Sequence, residues 1–176
     1  MNTLTKHARA AALAGALCAA LLPAGAAAPG QALTIGNVDV SYRDPAHFTE
    51  IRRNPAERTD WLDALSRHTA QRAARVLPAG EHLAITITDV LRAGMFEPWR
   101  RGNLANARIV RDTTPPRIAL SFRLESAQGA MLKQGERQLH DVAFLRRSSR
   151  YQGDPLAYEK NLIDAWLDRE IRSTPR

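Results

Sequence analysis

The sequence predicts an α+β fold, with two helices packed on one face of a mainly antiparallel sheet in a single compact domain. Three patterns predict it. Several short segments alternate apolar with polar residues, and two longer ones repeat apolar residues at helical spacing. Ser126-Ala127-Gln128-Gly129 has the length and the glycine of a hairpin turn between two of the alternating segments. Each helix has one apolar face and each strand is apolar on alternate residues, so laying one layer on the other buries all of these faces at once.

In chain order, Val38, Val40 and Tyr42 alternate with Asp39 and Ser41 as a half-buried first strand, which Asp44-Pro45 ends. A long helix follows from Thr59 to Leu77, where Trp61, Leu62, Leu65, Thr69, Ala73, Val76 and Leu77 share a face. Asn54-Pro55-Ala56-Glu57 reads as its start signal: a capping residue, a first-turn proline and an acid three residues on. Leu83, Ile85 and Ile87 alternate with Ala84, Thr86 and Thr88 in a strand ending at Asp89. Ile118, Leu120, Phe122 and Leu124 mark the next strand, and the hairpin turn leads into its partner from Ala130 to Leu139. Lys133, Glu136 and Arg137 give that partner the charged character of a protected edge, which favours a monomer. Arg108 to Val110 adds a short strand. Asp154-Pro155 opens the last helix, whose apolar stripe is Leu156, Leu162, Ile163, Trp166, Leu167 and Ile171. Trp61 and Trp166 read as core anchors, and Trp99 as an exposed tryptophan.

The first 26 residues have a different character. Lys6 and Arg9 are followed by an uncharged run from Ala10 to Leu22 and by Pro23-Ala24-Gly25-Ala26. Basic, apolar and small residues in that order make a secretory signal peptide over 1–26. The apolar run is shorter than the roughly 20 residues a helix needs to cross a bilayer. Residues 27–176 are then the mature domain, expected outside the cytoplasm and without a membrane anchor. The single cysteine, Cys18, lies inside the leader after Leu17, which does not fit lipoprotein processing. The mature domain therefore has no disulfide, no thiolate metal site and no cysteine nucleophile.

The 176 residues carry 25 Lys and Arg against 18 Asp and Glu, a formal charge of +7. Such a balance is that of a solvated basic surface, or of attraction to an anionic partner in the cell envelope. Nucleic acid is not expected as a partner, because no reading motif is present.

A set of short motifs runs through the mature domain: Thr88-Asp89-Val90, Gly94-Met95-Phe96-Glu97-Pro98, Arg108-Ile109-Val110-Arg111-Asp112 and Pro115-Pro116-Arg117-Ile118. Leu139-His140-Asp141, Phe144-Leu145, Arg150-Tyr151 and Asp154-Pro155-Leu156 with Tyr158-Glu159-Lys160 continue it. In these residues the chain resembles the domain-of-unknown-function 3016 family, exported proteins of Gram-negative bacteria. The resemblance implies a periplasmic setting and supplies no activity and no catalytic residue.

The chemistry on offer is sparse. There is no G-x-S-x-G elbow and no Ser-x-x-Lys pair. His47, His68, His82 and His140 are scattered without metal-ligand spacing, so no metal or cofactor is expected. Asp89, Glu97 and Asp141 are candidate carboxylates for a hydrolase, the alternative reading. Against it, an aspartate after a strand commonly caps a turn and a glutamate beside arginines commonly pairs with them. The arginines stand out more. Arg100, Arg108 and Arg111 lie in or beside the irregular segment Arg92 to Ala107, and Arg146, Arg147 and Arg150 lie in a second, Phe144 to Gly153. Guanidinium groups bind carboxylate or phosphate through paired hydrogen bonds, and Trp99 and Tyr151 offer flat faces for stacking. Trp99 and these six arginines are the candidate anion- or partner-binding set, for an envelope protein or an anionic glycan or lipid. The competing reading pairs the arginines with Glu97, Asp112, Asp141 and Asp154 to fix the two loops.

Overall fold

A computed structural model describes residues 32–147 and 149–172; the expected leader at 1–26 and Ser148 lie outside them. The chain runs β1 (Leu33–Ile35), β2 (Val38–Tyr42), α1 (Thr49–Arg53), α2 (Asp60–Val76) and β3 (His82–Leu91). It continues with β4 (Met95–Phe96), β5 (Arg108–Ile109), β6 (Arg117–Glu125), β7 (Met131–His140) and α3 (Ala157–Glu170). Five strands form the main sheet in the order β1-β2-β3-β6-β7, and β4 pairs with β5 apart from it. Every neighbouring pair is antiparallel except β2 with β3, which are parallel and joined by a crossover through α1 and α2. The domain is α+β, as the patterning predicts.

Alternation decides which face of the sheet is covered. Leu83, Ile85 and Ile87 of β3 and Ile118, Leu120, Phe122 and Leu124 of β6 are buried, while Ala84, Thr86, Ala119 and Ser121 between them are half-buried. The buried set meets Trp61, Leu65 and Ala73 of α2 and Ile163, Trp166 and Leu167 of α3 in one continuous core. Fully burying a side chain of this size contributes roughly 1.5–3 kcal/mol. Trp166 has no exposed surface and meets Phe122 edge to face. Trp61 is also buried, whereas Trp99 is 71% exposed.

Several elements differ from expectation. The short helix α1 and the strand β4 are not among those the patterning predicts, so the described residues hold three α-helices rather than two. The first strand is the second arm of a hairpin, because Leu33–Ile35 adds an outer strand before it. More tellingly, Asn54-Pro55-Ala56-Glu57 does not start the long helix, which begins at Asp60. Asn54 instead ends α1, its N–H donating to the Glu50 carbonyl and its amide to the Glu50 carboxylate at 2.7 Å. Glu57, needed for a capping box, is drawn away by Arg92 and Arg108 (2.6 and 2.8 Å), so tertiary ion pairing outcompetes the local cap.

The Ser126–Gly129 turn forms as read. The Ser126 hydroxyl accepts from the Gln128 and Ala130 N–H groups, and Gly129 takes the left-handed φ of 77° that closes the loop. β7 is indeed an edge strand. Among the described residues no helix is long and apolar enough to cross a membrane.

Candidate functional site

The irregular segment after β3 is held by charge. Asp89, near the end of β3, accepts from the N–H and hydroxyl of Thr49 at 2.6 and 2.7 Å, which anchors α1 to the sheet from 40 residues away. Glu50 of α1 then accepts from the Arg92 N–H at 2.8 Å and from Arg108. Arg92 and Arg108 share Glu57 between them. Arg108 also donates to the Gly94 carbonyl at 3.1 Å and lies over the Phe96 ring. Arg92 lies over Trp61 and donates to the Pro155 carbonyl at 3.3 Å. Glu159 of α3 accepts the Ala93 N–H at 2.7 Å, and burial pushes its carboxyl above the ordinary glutamate range. The result is an internal ion network that ties α1, β3, β5 and α3 together.

The expected binding arginines divide sharply. Arg108 is inside, with both terminal nitrogens committed. Arg100 and Arg111 converge on Glu97, and the Arg100 hydrogen bond, against the opposing effect of desolvation, holds that carboxyl below its usual range. Arg147 pairs with Asp141 at 2.6 Å. Arg146 and Arg150 are exposed. Tyr151 is engaged internally: its hydroxyl donates to Asp164 at 2.6 Å, its ring packs perpendicular to that of His68, and the Lys160 ammonium lies over it. Asp154 pairs with Lys160 rather than an arginine. The first irregular segment meets the beginning of α3 through Arg92 at Pro155 and Ala93 at Glu159, beyond the end of the second segment at Gly153.

The carboxylates of the hydrolase reading are each engaged: Asp89 by Thr49, Glu97 by two arginines, and Asp141 by Arg147 and the Ala143 N–H. Among the described residues, no group of three or more His, Cys, Asp and Glu could hold a metal ion.

A cationic cleft opens beside this network. It has a volume of about 300 Å³ and lies between the end of α1, the end of β3, the Thr113–Pro116 segment and the facing ends of β6 and β7. Arg53, Arg92, Arg117 and His140 line it with Thr113 and Thr114, and no carboxylate does. Arg117 and His140 are direct cross-strand partners, so both project from one place on the sheet. Among the described residues, no acid pairs with Arg53 or Arg117. The walls are fixed: the Gly94 N–H donates to the Thr114 carbonyl at 3.0 Å. Gly94 has φ +78°, and a Cβ there would sit 2.6 Å from the Ile109 carbonyl oxygen, so glycine alone fits this approach. His140 also lines a neighbouring groove between β7 and α3, with Asp141, Arg147, Tyr158 and Arg169.

The family model described as "Protein of unknown function (DUF3016)" matches residues 36–169. The chain belongs to the DUF3016 family. No curated protein and no solved structure matches it. Several of the motifs that carry the DUF3016 resemblance lie at this end of the sheet. Asp89 anchors α1, Gly94 and Pro115-Pro116-Arg117 line the cleft, and Arg108 sits in the network. His140 joins the two depressions, and Pro155 and Glu159 receive Arg92 and Ala93. Arg53 and Thr113 were not legible as site residues. Arg117 belongs to a quoted motif, and counting back from the hairpin turn brings it near His140, the one signal that could have found the pair.

Proposed function

We propose that this protein is a non-catalytic binding module that works in the bacterial periplasm and meets an anionic partner of the cell envelope. One observation carries the reading: a preformed cleft lined by Arg53, Arg117 and His140 without a carboxylate, in a protein where Arg92, Arg100, Arg108, Arg111 and Arg147 are each committed to an acid. Guanidinium groups left without an acid attract and orient carboxylate or phosphate groups. Arg146 and Arg150 are exposed as well, and the leader read at 1–26 supports the location.

The test is photo-crosslinking in cells, with the reactive residue placed at Met95, 41% exposed on the cleft wall, or at Arg67, exposed on α2. The reading expects a defined envelope adduct from position 95 and none from position 67. Equal labelling from both positions, or none from either, overturns it.

A further inference from the structure

We infer that the cleft between α1, β3, β6 and β7 is a phosphoryl-group site, taking a phosphomonoester or phosphodiester through Arg53, Arg117, His140 and Thr113. The inference rests on the binding reading above and names the chemistry of its ligand.

Donor number is the first argument. Arg53 and Arg117 each bring five N–H donors, with no acid among the described residues to occupy them. His140 adds an N–H in either tautomer, and Thr113 adds a hydroxyl. A carboxylate has two oxygens, which a single guanidinium fork can engage. Two forks, an imidazole and a hydroxyl facing one cleft suit a tetrahedral group, whose several oxygens accept from different directions.

Placement is the second. Strand register sets Arg117 directly across from His140, and the anchoring of Thr49 by Asp89 fixes the short helix that ends in Arg53. Side by side on the sheet, Arg117 and His140 can both donate to one anion that lies between them. Arg92 supports the site from below, only 7% exposed, with its terminal nitrogens held by Glu57 and Pro155. Leu91, Met95 and Pro115 give the cleft an apolar side. A group carrying carbon beyond the ester oxygen has a surface to lie on there, which favours an organic phosphate over the bare ion.

The experiment uses isothermal titration of the protein with glycerol 3-phosphate and with inorganic phosphate, and co-sedimentation with vesicles of phosphatidylglycerol or of phosphatidylcholine. Saturable binding of glycerol 3-phosphate, tighter than that of inorganic phosphate, assigns the site to soluble phosphate esters. Binding to phosphatidylglycerol vesicles without binding of the soluble ester assigns it to a lipid headgroup. In either case R53Q and R117Q weaken binding about tenfold or more, in line with the loss of a charge-assisted pair. R123Q, an exposed arginine of β6 outside the cleft, stays within twofold.

Circular dichroism checks that each variant is folded. In the unmodified protein, phosphate ester protects Arg53 and Arg117 from phenylglyoxal, read by peptide mass, whether or not a variant folds. No binding by the unmodified protein to ester or vesicle, or equal losses in R123Q and the cleft variants, overturns the inference. If that happens while the adduct at position 95 persists, the phosphoryl assignment fails and the envelope-binding reading stands.

Discussion

Arg108 donates to Glu50, Glu57 and the Gly94 carbonyl, so its charge is needed to balance two acids that are themselves 1% and 19% exposed. Replacing it with methionine leaves Glu50 buried without its strongest partner. R108M is therefore expected to lose about 3–5 kcal/mol in urea unfolding, the cost of stranding a buried charge. A loss under 1 kcal/mol contradicts the network. Glu159 presents the opposite case, since burial raises its folded-state pKa above the ordinary value of 4.5 against the lowering by the Ala93 N–H, Arg92 and Arg108. A raised carboxyl contributes stability below the unfolded value that is lost as pH rises through the folded one. E159Q keeps an oxygen for the Ala93 N–H and has no charge to bury. It should melt above the unmodified protein at pH 8, with the difference closing towards pH 4.5. Gly94 permits neither a Cβ nor an ordinary φ, so G94A should cost about 2–4 kcal/mol through strain and collision with the Ile109 carbonyl. At this scale the sequence is least explicit. Arg108 and Arg53 are both arginines in polar surroundings, and what separates them is a glutamate 58 residues from Arg108 in the chain.

The elements were more legible, because their signals are local. β3 and β6 alternate cleanly, and the β6–β7 turn contains its own hydrogen-bond acceptors in Ser126. The misread start of α2 has a physical cause. Asn54, Pro55 and Glu57 have cap chemistry, but Glu57 gains more from two guanidiniums than from a backbone N–H. The outer strand β1 has three residues, too few for alternation to declare itself. Between elements, α3 is strapped to the edge strand β7 by Lys133 and Arg137, both on Glu170. The Arg137 hydrogen bond leads in pulling the Glu170 carboxyl down to about 2 from 4.5. A depressed carboxyl contributes stability above its unfolded value that is lost as pH falls through the folded one. Between pH 4.5 and 2 the unmodified protein should therefore lose more stability than E170Q. The difference is roughly 1 kcal/mol once solvent screening of a partly exposed pair is allowed for. Parallel acid curves for the two proteins would count against the strap.

Across the whole molecule, one core runs from β2 to β7 beneath both long helices, with Trp61 and Trp166 buried in it. Unfolding should be a single transition, with the same urea midpoint by far-UV circular dichroism and by tryptophan fluorescence in a W99F background that removes the exposed reporter. Separated midpoints would mean that the helical layer and the sheet come apart independently. The α+β architecture was readable from periodicity because burial of one face imposes a regular apolar spacing on each element, every second residue in a strand and every third or fourth in a helix. The site was not, because it is assembled from the ends of elements, where α1, β3, β6 and β7 each contribute a residue or two. Net charge was a poor guide for the same reason: it counts arginines without showing which have an internal acid.

The bond from the Gly94 N–H to the Thr114 carbonyl, with the ion pairs behind it, also bears on speed. Walls that are already tied need no ordering when something enters, so little entropy is spent on closing them. Capture at this cleft should then follow collision directly, its observed rate rising in proportion to concentration with no plateau from a slow rearrangement. Selectivity has to come from shape and charge at first contact, since no later closing step remains to reject a poor fit.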